Sequence, residues 1–417
     1  MANTLSVIDQ ITRESLRVAH EKLTFIGTID RSYDSSYANS GAKIGDTLRV
    51  RNPNQYVRRK GSRVMDVQDQ NESSQNVTVA TQDGVDMKFN SAELSLSIDE
   101  LSKRYIEPAV SVLVSGIEGD VLTSLTKDVY QLSGTAGSVV GASADISAIT
   151  DARAKLNQQL APKDGNRSVQ FDSVTMGTIV NGIQGLFHDG PQVAKSFREG
   201  FIGRNAMANF YENEKTYVQA NGTDSDVVWA VDDVTRLAAG DASDNAGVSS
   251  LNFDAMGTVV PAVGTVFTID AMFDVHPETK VAYQHLKQLT ITSVGAIATN
   301  QAVISFSPTL YVAGAKQNIS SSDGTFAILE DEATVQFGAA SASLQQNLMY
   351  HKDAFTFVTA DLPIMDDAIR CVRRVQDGLS IRCWQGSDIK NDELLLRLDI
   401  LYGSKALRPE WACRISN

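Results

Sequence analysis

Histidines are the side chains of this sequence best suited to proton transfer or metal binding. They are His20, His188, His276, His285 and His351. The first is followed by a glutamate, as in the His-Glu-x-x-His motif of zinc proteases, but Thr24 stands where the second histidine should be. A metal site formed by His276 and His285 with Asp274 is weighed against ordinary exposed loop histidines, which are the commoner case. The histidines therefore predict no metal site.

Glycine, serine and cysteine patterns also point away from catalysis. Three glycines lie between positions 134 and 141, but no Gly-Lys-Ser or Gly-Lys-Thr follows them, which favours a surface loop over a phosphate-binding loop. No Gly-x-Ser-x-Gly nucleophile elbow is present. Cys371, Cys383 and Cys413 contain no Cys-x-x-Cys pair and are expected to be buried thiols. We therefore predict no catalytic residue, no cofactor and no metal ligand, and we expect a protein that is not an enzyme.

One basic cluster does stand out from the rest of the chain. Its members are Arg49, Arg51, Arg58, Arg59, Lys60 and Arg63. No acidic residue interrupts it, so it could contact the carboxylates of a neighbouring subunit, or DNA. The alternative is a solvated polar loop, and composition does not separate the two. Acidic runs that could be its counterparts are Asp366-Asp367 and Glu330-Asp331-Glu332, although a solvated face is the default interpretation of such runs.

Length and charge limit the class of protein. A chain of 417 residues suggests two or three domains. The net charge of -13 argues against a free nucleic-acid-binding protein, which would normally be basic. Residues 221–345 hold 14 Asp and Glu but only 4 Lys and Arg, a net charge of -10, which predicts a separate module. No stretch approaches the roughly 20 apolar residues of a membrane span, and no signal peptide is visible. We therefore expect synthesis in a cytoplasm and no membrane partner.

The elements that would carry the basic cluster lie in the first quarter of the chain. Residues 5–23 predict an amphipathic helix, which must dock on its own domain or on a neighbour. Alternation over 44–51 predicts a strand. The polar stretch 52–86 has few large apolar side chains and a second alternating run at 77–79. This favours a long extended hairpin, which needs a partner surface because a lone hairpin is marginally stable in water.

Helical periodicity returns over residues 98–132, where Pro108 breaks or restarts the helix. Apolar residues spaced by three and four over 109–132 predict one long helix with a strongly apolar face. A shorter helix is predicted over 149–160, before Pro162.

The amino-acid composition changes again between residues 221 and 343, which are rich in small residues, valine and aspartate. Short β runs occur at 265–269, 289–292 and 303–306. They alternate with Gly, Asn and Pro turns and show no helical period, which predicts a small all-β barrel or sandwich inserted into the host domain. Strands are also predicted at 379–384 and 394–402, the latter buried on both faces because it is almost continuous in Leu and Ile.

Several sequence blocks resemble those of major capsid proteins of the Hong Kong 97 fold, especially podovirus coat proteins with an extra β-barrel. The blocks are IDRSY at 29–33, IGDTLRVR at 44–51, FREGFIGR at 197–204, NLMYHKDAF at 347–355, and LDILYG at 398–403 with LRPE at 407–410. Each block is short, and the specificity of the resemblance comes from their order along most of the chain.

The resemblance implies an α+β capsid fold with an inserted all-β barrel. The implied parts are an N-terminal arm (1–40), an extended β-hairpin loop (41–91), a peripheral domain with a spine helix (92–148), an axial domain with returning peripheral strands (149–220 and 346–417), and the inserted barrel (221–345). The implied function is a structural coat protein that self-assembles into pentamers and hexamers of an icosahedral head around double-stranded DNA. The implied partners are other copies of the chain, a scaffolding protein, a portal and DNA bound without sequence specificity. The expected location is the virion, after synthesis in the bacterial cytoplasm.

Three other functions are weighed against this one. An encapsulin-like compartment has the same fold but encloses a cellular enzyme. Another virion part, such as a tail tube or a decoration protein, is disfavoured by the long helix, since those parts are mostly β. An enzyme is disfavoured by the missing catalytic residues. The capsid interpretation also fits the physics of the chain, because an amphipathic arm and a core-poor hairpin cost about 1–2 kcal/mol per residue to order and become stable when neighbours cover them.

Overall fold

A computed structural model describes residues 7–31, 47–62, 65, 67, 72–90, 105–141, 146–183, 204–222, 229–232, 247–256, 260–322, 332–365, 370–376, 378–388, 390 and 393–416. The chain forms two compact units. Unit 1 contains Met1–Val50, Gln75–Leu122 and Phe355–Leu407, and unit 2 contains Arg51–Ser74, Thr123–Ala354 and Arg408–Asn417. Both mix helices with sheets, as the predicted α+β class requires.

The described α-helices are α1 (Val7–Lys22), α2 (Phe25–Thr28), α3 (Glu107–Asp128), α4 (Ser147–Gln158) and α5 (Ser173–Ile183). The described strands are β1 (Thr47–Arg51), β2 (Ser74–Thr78), β3 (Thr81–Asn90), β4 (Leu132–Ser133), β5 (Arg167–Phe171), β6 (Arg204–Asn205), β7 (Ala208–Glu212), β8 (Tyr217–Ala220), β9 (Ala230–Val231), β10 (Val248–Asp254), β11 (Val266–Val275), β12 (Ala282–Val294), β13 (Ala302–Leu310), β14 (Ile319–Ser321), β15 (Thr334–Gln336), β16 (Ser343–His351), β17 (Phe355–Ala360), β18 (Arg370–Gln376), β19 (Leu379–Asp388), β20 (Glu393–Ala406) and β21 (Ala412–Ser416). Short 3-10 helices lie at Lys352–Ala354 and Pro409–Trp411. The helices and strands predicted over 5–23, 44–51, 109–132, 149–160, 379–384 and 394–402 are confirmed, with small shifts of their ends.

Strand β20 is the centre of the five-stranded sheet of unit 1. It pairs antiparallel with β3 on one side and with β19 and β17 on the other, and β18 follows outside β19. The prediction that this strand is buried on both faces is correct only for part of it. Leu395 is 46% exposed, whereas Leu398 and Asp399 are fully buried. The exposed end lies near Glu393, where β20 begins.

The two faces of this sheet differ in chemistry. The first face carries Val85, Val372, Cys383 and Leu398, which the β registers place side by side. Helix α1 packs on β18 and β19 and hydrogen-bonds the Cys383 thiol through Thr12, so we call this the helix-covered face. The second face carries a buried ion pair, in which Arg382 Nη2 donates to Asp399 Oδ2 over 2.5 Å.

Helix α3 packs in unit 1 through residues spaced by three and four. Val110, Leu113, Ile117 and Val121 are all buried on that stripe. Glu118 is also buried, and its Oε1 accepts hydrogen bonds from the backbone N–H of Thr24, over 2.9 Å, and of Phe25. The first N–H groups of a helix have no partner within the helix, so this carboxylate satisfies the start of α2.

The expectation that no stretch approaches a membrane span must be corrected for α3. Its 22 residues have a mean hydropathy of 1.3 over their most apolar window, long and apolar enough to cross a bilayer by length and composition alone. Half of that window is buried inside the protein, and it includes the fully buried Glu118. A core helix passes the same test, and its packing identifies α3 as one.

Strands β1 and β2 pair with each other as a two-stranded sheet, which forms the base of the predicted hairpin. Val50, Val77 and Val79 pack in one apolar cluster with Val358 of β17 and Leu407. The hairpin therefore has an anchored base within unit 1. Strand β3, which the predicted loop over 41–91 included, instead pairs with β20 along its whole length. The domain boundaries themselves stay predictions.

In unit 2, a seven-stranded sheet runs in the order β4-β21-β16-β5-β7-β6, with β8 also paired to β16. Helices α4 and α5 cover it and form one apolar core with strands β5, β7, β16 and β21. The predicted short helix before Pro162 is thus a covering layer of this sheet.

Strands β9 to β15 of unit 2 form a second seven-stranded sheet, ordered β14-β11-β12-β13-β10-β9, with β15 beside β11. A bridge between Ala230 and Ala333 joins β9 to the start of β15 and closes the ring. Strand β11 bends at Ala271, whose φ is +61°, and pairs with β15 before the bend and with β14 after it. Trp229 and Phe267 lie in its core, with ring centroids 5.9 Å apart. The β runs predicted at 265–269, 289–292 and 303–306 are confirmed as β11, β12 and β13.

A glycine in β20 sets how closely the hairpin base approaches the sheet. A Cβ added at Gly403 would collide with the carbonyl oxygen of Thr78 and lie 3.0 Å from the Cα of Val79. Both obstacles are backbone atoms, so they cannot rotate away. Any side chain at position 403 would push β2 off the sheet.

We predict that Gly403→Ala lowers the free energy of unfolding by about 1–3 kcal/mol, the usual cost of overpacking. Urea unfolding followed by circular dichroism measures the change. Gly386→Ala is the matched control, because a Cβ at Gly386 in the same sheet meets nothing within 4 Å. Equal effects of the two substitutions would contradict the close-approach argument.

Candidate subunit-contact surface

The first two residues of the basic cluster lie on β1. Arg49 and Arg51 are exposed on the face of the strand opposite to Val50, because successive side chains of a strand point to opposite faces. Arg51 Nη1 lies 3.4 Å from Glu72 Oε2, and both side chains are more than half exposed. Such an exposed ion pair contributes between zero and about 1 kcal/mol, so Arg51 can still bind another carboxylate.

The next three basic residues lie in a segment without regular secondary structure. Arg58, Arg59 and Lys60 are exposed, as are Tyr56 and Val57 just before them. Where this segment leaves β1, one more backbone hydrogen bond of 2.9 Å joins Asn52 N–H to the Ser73 carbonyl. Arg63, the last member of the predicted cluster, lies outside the described residues, as do Asp366, Asp367, Glu330 and Asp331 of the acidic runs.

These five described cations, on β1 and in residues 52–60, are called the basic segment. They present positive charge beside an exposed aromatic ring, which suits an extended anionic surface. An arginine guanidinium also pairs well with a carboxylate because its donors form a planar fork.

A second charged group, not anticipated from the sequence, ties the β9–β15 sheet to the rest of unit 2. Lys287 Nζ lies 2.6 Å from Asp274 Oδ1, and both side chains are buried. The other carboxylate oxygen of Asp274 accepts a 2.8 Å hydrogen bond from Gln159, just after α4. Lys287 Nζ also lies 5.2 Å from the ring centroid of Tyr130. In the sequence, this pair is marked by a lysine within a run of residues that predicts a β-strand.

The ionisation of Asp274 reflects two opposing effects. Burial is the larger single one and raises its pKa, but Lys287, His285 and the Val275 N–H together outweigh burial, so the pKa lies below its ordinary value. At neutral pH the carboxylate is therefore charged. A buried charge of this kind is stable only while its partner is present.

Arg414 makes a second polar connection to the same β-sheet module. Its guanidinium is buried and donates to the Gly264 carbonyl over 2.6 Å, to the Lys127 carbonyl over 2.8 Å and to Thr290 Oγ1 over 3.0 Å. Burial lowers the Arg414 pKa to about 10, so the group stays charged at neutral pH. One side chain on β21 thus joins residues of α3, β12 and the turn before β11.

Lys155 of α4 adds a third connection. Its Nζ donates to Gln288 Oε1 over 2.7 Å and also to the Leu132 carbonyl. Burial is the main cause of a pKa below the ordinary lysine value. The contacts between the β9–β15 sheet and its host are therefore rich in buried charge.

The histidines take structural positions in the described part of the chain. His285 Nε2 lies 3.6 Å from Asp274 Oδ2, but Lys287 already supplies a cation to that carboxylate. His276 Nδ1 accepts backbone N–H groups of Glu278 and Thr279. Within the described ranges, no group of three or more His, Cys, Asp and Glu side chains could hold a metal ion. The small polar cavity beside Asp274 has room for little more than a water molecule.

His351 is fixed between two aspartates of unit 2. Its buried ring places Nε2 3.0 Å from Asp164 Oδ1, and Nδ1 accepts the Asp353 N–H over 3.2 Å. A hydrogen bond from the Asn166 N–H is the largest cause that holds the Asp164 pKa at about 2, with His351 adding to it. This pair fixes the 3-10 turn after β16 and offers no open position to a substrate.

We predict that Asp274→Asn lowers the free energy of unfolding by about 3–5 kcal/mol, because it leaves the Lys287 charge buried without its partner. Urea unfolding of the purified chain at neutral pH measures this. Glu393→Gln is the control, since it breaks the 2.8 Å pair of Glu393 with the exposed Lys88 and should cost far less than Asp274→Asn.

The same pair gives a pH dependence. Because the folded-state pKa of Asp274 is lowered, its stabilisation is complete above the unfolded value of about 3.9 and is lost as pH falls through the folded value. The unfolding free energy of Asp274→Asn should therefore fall less below pH 4 than that of the parent chain. Parallel pH curves would contradict this.

A family model described as P22 coat protein (gene protein 5) matches residues 21–414. No curated protein matches the sequence significantly.

Three of the solved structures that resemble this chain are of phages. A structure of Mycobacterium phage Che8 has 11% sequence identity and a TM-score of 0.49, covering 94% of this chain and 90% of that chain. The capsid of cyanophage P-SCSP1u has 10% identity and a TM-score of 0.44, covering 89% and 83%. The capsid of Myoviridae phage XM1 has 9% identity and a TM-score of 0.41, covering 95% and 92%.

Members of the matched family are structural proteins, which agrees with the expectation that this chain is not an enzyme. Because the family model covers nearly the whole sequence, the chain belongs to the P22 coat protein family and is a tailed-bacteriophage major capsid protein that forms the icosahedral head of the virion.

Proposed function

We propose that copies of this chain form pentamers and hexamers, and that the basic segment is one of their inter-subunit contacts. The observation that carries this is an anchored hairpin base that bears two exposed cations and is followed by three more. Anchoring holds the start of the segment, so less chain entropy is lost when a neighbouring subunit orders the remainder.

The neighbour's carboxylates are the favoured partner of the basic segment. The chain has 50 Asp and Glu against 37 Lys and Arg, so a second copy presents a surplus of carboxylates. Each exposed pair contributes little, but a closed shell repeats the same contact in every subunit. Weak repeated contacts suit an assembly that corrects its errors before it closes.

The finer partners follow from the capsid function. We propose that the shell encloses double-stranded DNA, which it contacts without sequence specificity through phosphates. We further propose that the chain is made in the bacterial cytoplasm and assembles there with a scaffolding protein and a portal. With a net charge of -13, the chain does not neutralise DNA by itself, so DNA contact must be confined to local cationic surfaces.

An encapsulin-like compartment is the second candidate function. The family match to phage coat proteins favours the capsid over the compartment. Nucleic acid extracted from purified particles separates the two, because double-stranded DNA supports a capsid and an enclosed enzyme supports a compartment.

We also propose that residues 221–345 form an inserted folding module. The ring of β9 to β15 encloses its own apolar core, including Trp229, Phe253 and Phe267. The buried Lys287–Asp274 pair lies inside this range, so the module keeps both partners when it is separated from its host.

For the basic segment, we predict that Arg58→Glu, Arg59→Glu and Arg63→Glu together abolish shell assembly while the subunit stays folded. The reversal turns attraction to the neighbour's carboxylates into repulsion. Sedimentation of the co-expressed coat and scaffolding proteins measures shells, and circular dichroism measures folding.

Two control variants accompany this triple. Replacing the same three arginines with lysine should preserve shells. Lys163→Glu, Lys352→Glu and Lys390→Glu change the net charge equally at exposed positions elsewhere and should also preserve them. Normal shells from the arginine-to-glutamate triple would sink the contact role.

For the module, we predict that residues 221–345 expressed alone give a folded, acidic β protein with a net charge of -10. A β-type circular dichroism spectrum and a cooperative thermal transition are the expected results. An unfolded fragment would remove the claim of an independent module.

A further inference from the structure

We infer that the five-stranded sheet of unit 1 continues from one copy of the chain into the next, with β18 of one copy pairing to β3 of its neighbour. This rests on shell formation, and it assigns a second contact surface, separate from the basic segment. The two strands are opposite edges of the same sheet. Among the residues that the structure describes, β3 pairs only with β20, and β18 pairs only with β19.

Both edges are accessible. On β3, the Asp86 side chain is 74% exposed and the Lys88 side chain is 69% exposed. On β18, Arg370 is exposed and Val375 is 44% exposed. An edge strand carries backbone N–H and C=O groups without ladder partners, and an added strand satisfies them. Ten residues of β3 and seven of β18 are long enough for such a ladder.

The charges of the two edges are complementary. Strand β3 carries Asp83, Asp86 and Lys88, a net charge of -1, whereas β18 carries Arg370, Arg373 and Arg374, a net charge of +3. Pairing β18 with a second β18 would bring arginines together, whereas pairing it with β3 adds a strand of opposite net charge. Like charges opposite each other destabilise a sheet and opposite charges stabilise it. The favoured partner of each edge is therefore the other edge of a second copy.

The direction of the strands fits the same arrangement. Neighbouring strands are antiparallel at each step from β3 through β20 and β19 to β18, so β3 and β18 run in opposite directions. A second copy that extends the sheet with its faces in the same orientation therefore places its β3 antiparallel to β18. The proposed pairing therefore requires no change in the direction of either strand.

Matching the helix-covered faces allows only registers that differ by an even number of residues, and we infer the one that sets an apolar residue against an apolar residue on that face. Val85 of one copy stands opposite Val372 of the other, since both lie on that face. In this register Asp83 stands opposite Arg374, and an acid meets a base on the same face. On the second face Asp86 stands opposite Cys371. A shift of the register by one residue would place each side chain of β3 beside side chains of the opposite face of the neighbouring sheet.

Such a contact is head-to-tail, because it joins two different edges. A head-to-tail contact generates a ring when the rotation between copies closes. In a ring of five or six copies, the sheet of each copy would then be hydrogen-bonded to the sheets of its two neighbours. The pairing supplies directional backbone hydrogen bonds, which the side-chain contacts of the basic segment do not provide.

A thiol cross-link tests this register. Asp86→Cys replaces an exposed side chain and places a thiol opposite the native Cys371 of the next copy, at a cross-strand distance that a disulfide can span. We expect assembled particles of this variant, treated with diamide, to shift from monomer to a ladder of covalent oligomers on a non-reducing gel. The ladder should collapse to monomer on reduction.

Two controls fix the interpretation. Asp86→Cys with Cys371→Ser should give no ladder, and Lys88→Cys, on the same strand face two residues further on, should also give none. Should Asp86→Cys fail to assemble, Gln82→Cys with Val375→Cys tests the next pair of the same register on the same face, in a Cys371→Ser background.

The outcomes separate this inference from the proposed function. Intact particles without a ladder, or a ladder that persists after Cys371→Ser, would overturn the edge pairing and leave shell assembly standing. Absence of particles from the parent chain with its scaffold would remove the proposed function and the inference together.

Discussion

The backbone ladder around β20 is the constraint on which unit 1 depends. This strand pairs with β3, β17 and β19, so β3, which lies far earlier in the sequence, joins the same sheet as β17 and β19 through β20. The same strand carries Asp399, which is buried and satisfied by Arg382 and Arg397, and Gly403, which admits the hairpin base. Both lie on one face, since their positions differ by an even number. One strand thus fixes the sheet, its buried ion pairs and the base of the hairpin.

In unit 2, the β9–β15 sheet has its own apolar core and contacts the rest of the unit through polar side chains. Purely apolar contacts would hold the β9–β15 sheet strongly but would permit many orientations of the sheet relative to the rest of the unit. Here Lys287, Lys155 and Arg414 are buried and each has defined acceptors. Buried charges are costly unless their hydrogen-bonding geometry is satisfied, so these contacts disfavour orientations of the sheet that would break them. The charges therefore contribute specificity of orientation more than net stability.

Much of the fold could be predicted from the sequence, because periodicity reports which residues face a core. The apolar stripe of α3 and the β runs of β11, β12 and β13 are examples. The partners of strands could not be predicted, since pairing of β3 with β20 joins residues about 300 positions apart and leaves no local signal. The basic residues were identified by composition alone. Lys287 and Asp274 were missed as a pair because a buried lysine differs from a solvated one only through its surroundings.

The distribution of charge along this chain also bears on the symmetry of its contacts. An isologous contact that centred one of these patches on its two-fold axis would set that patch against itself, so a basic patch would meet a basic patch. The basic segment and the arginines of β18 would then repel their counterparts, and so would the acidic residues of β3. A head-to-tail contact brings different patches together and turns the same charges into attraction. On these surfaces, electrostatics therefore favours the proposed head-to-tail contacts over contacts of one patch with itself.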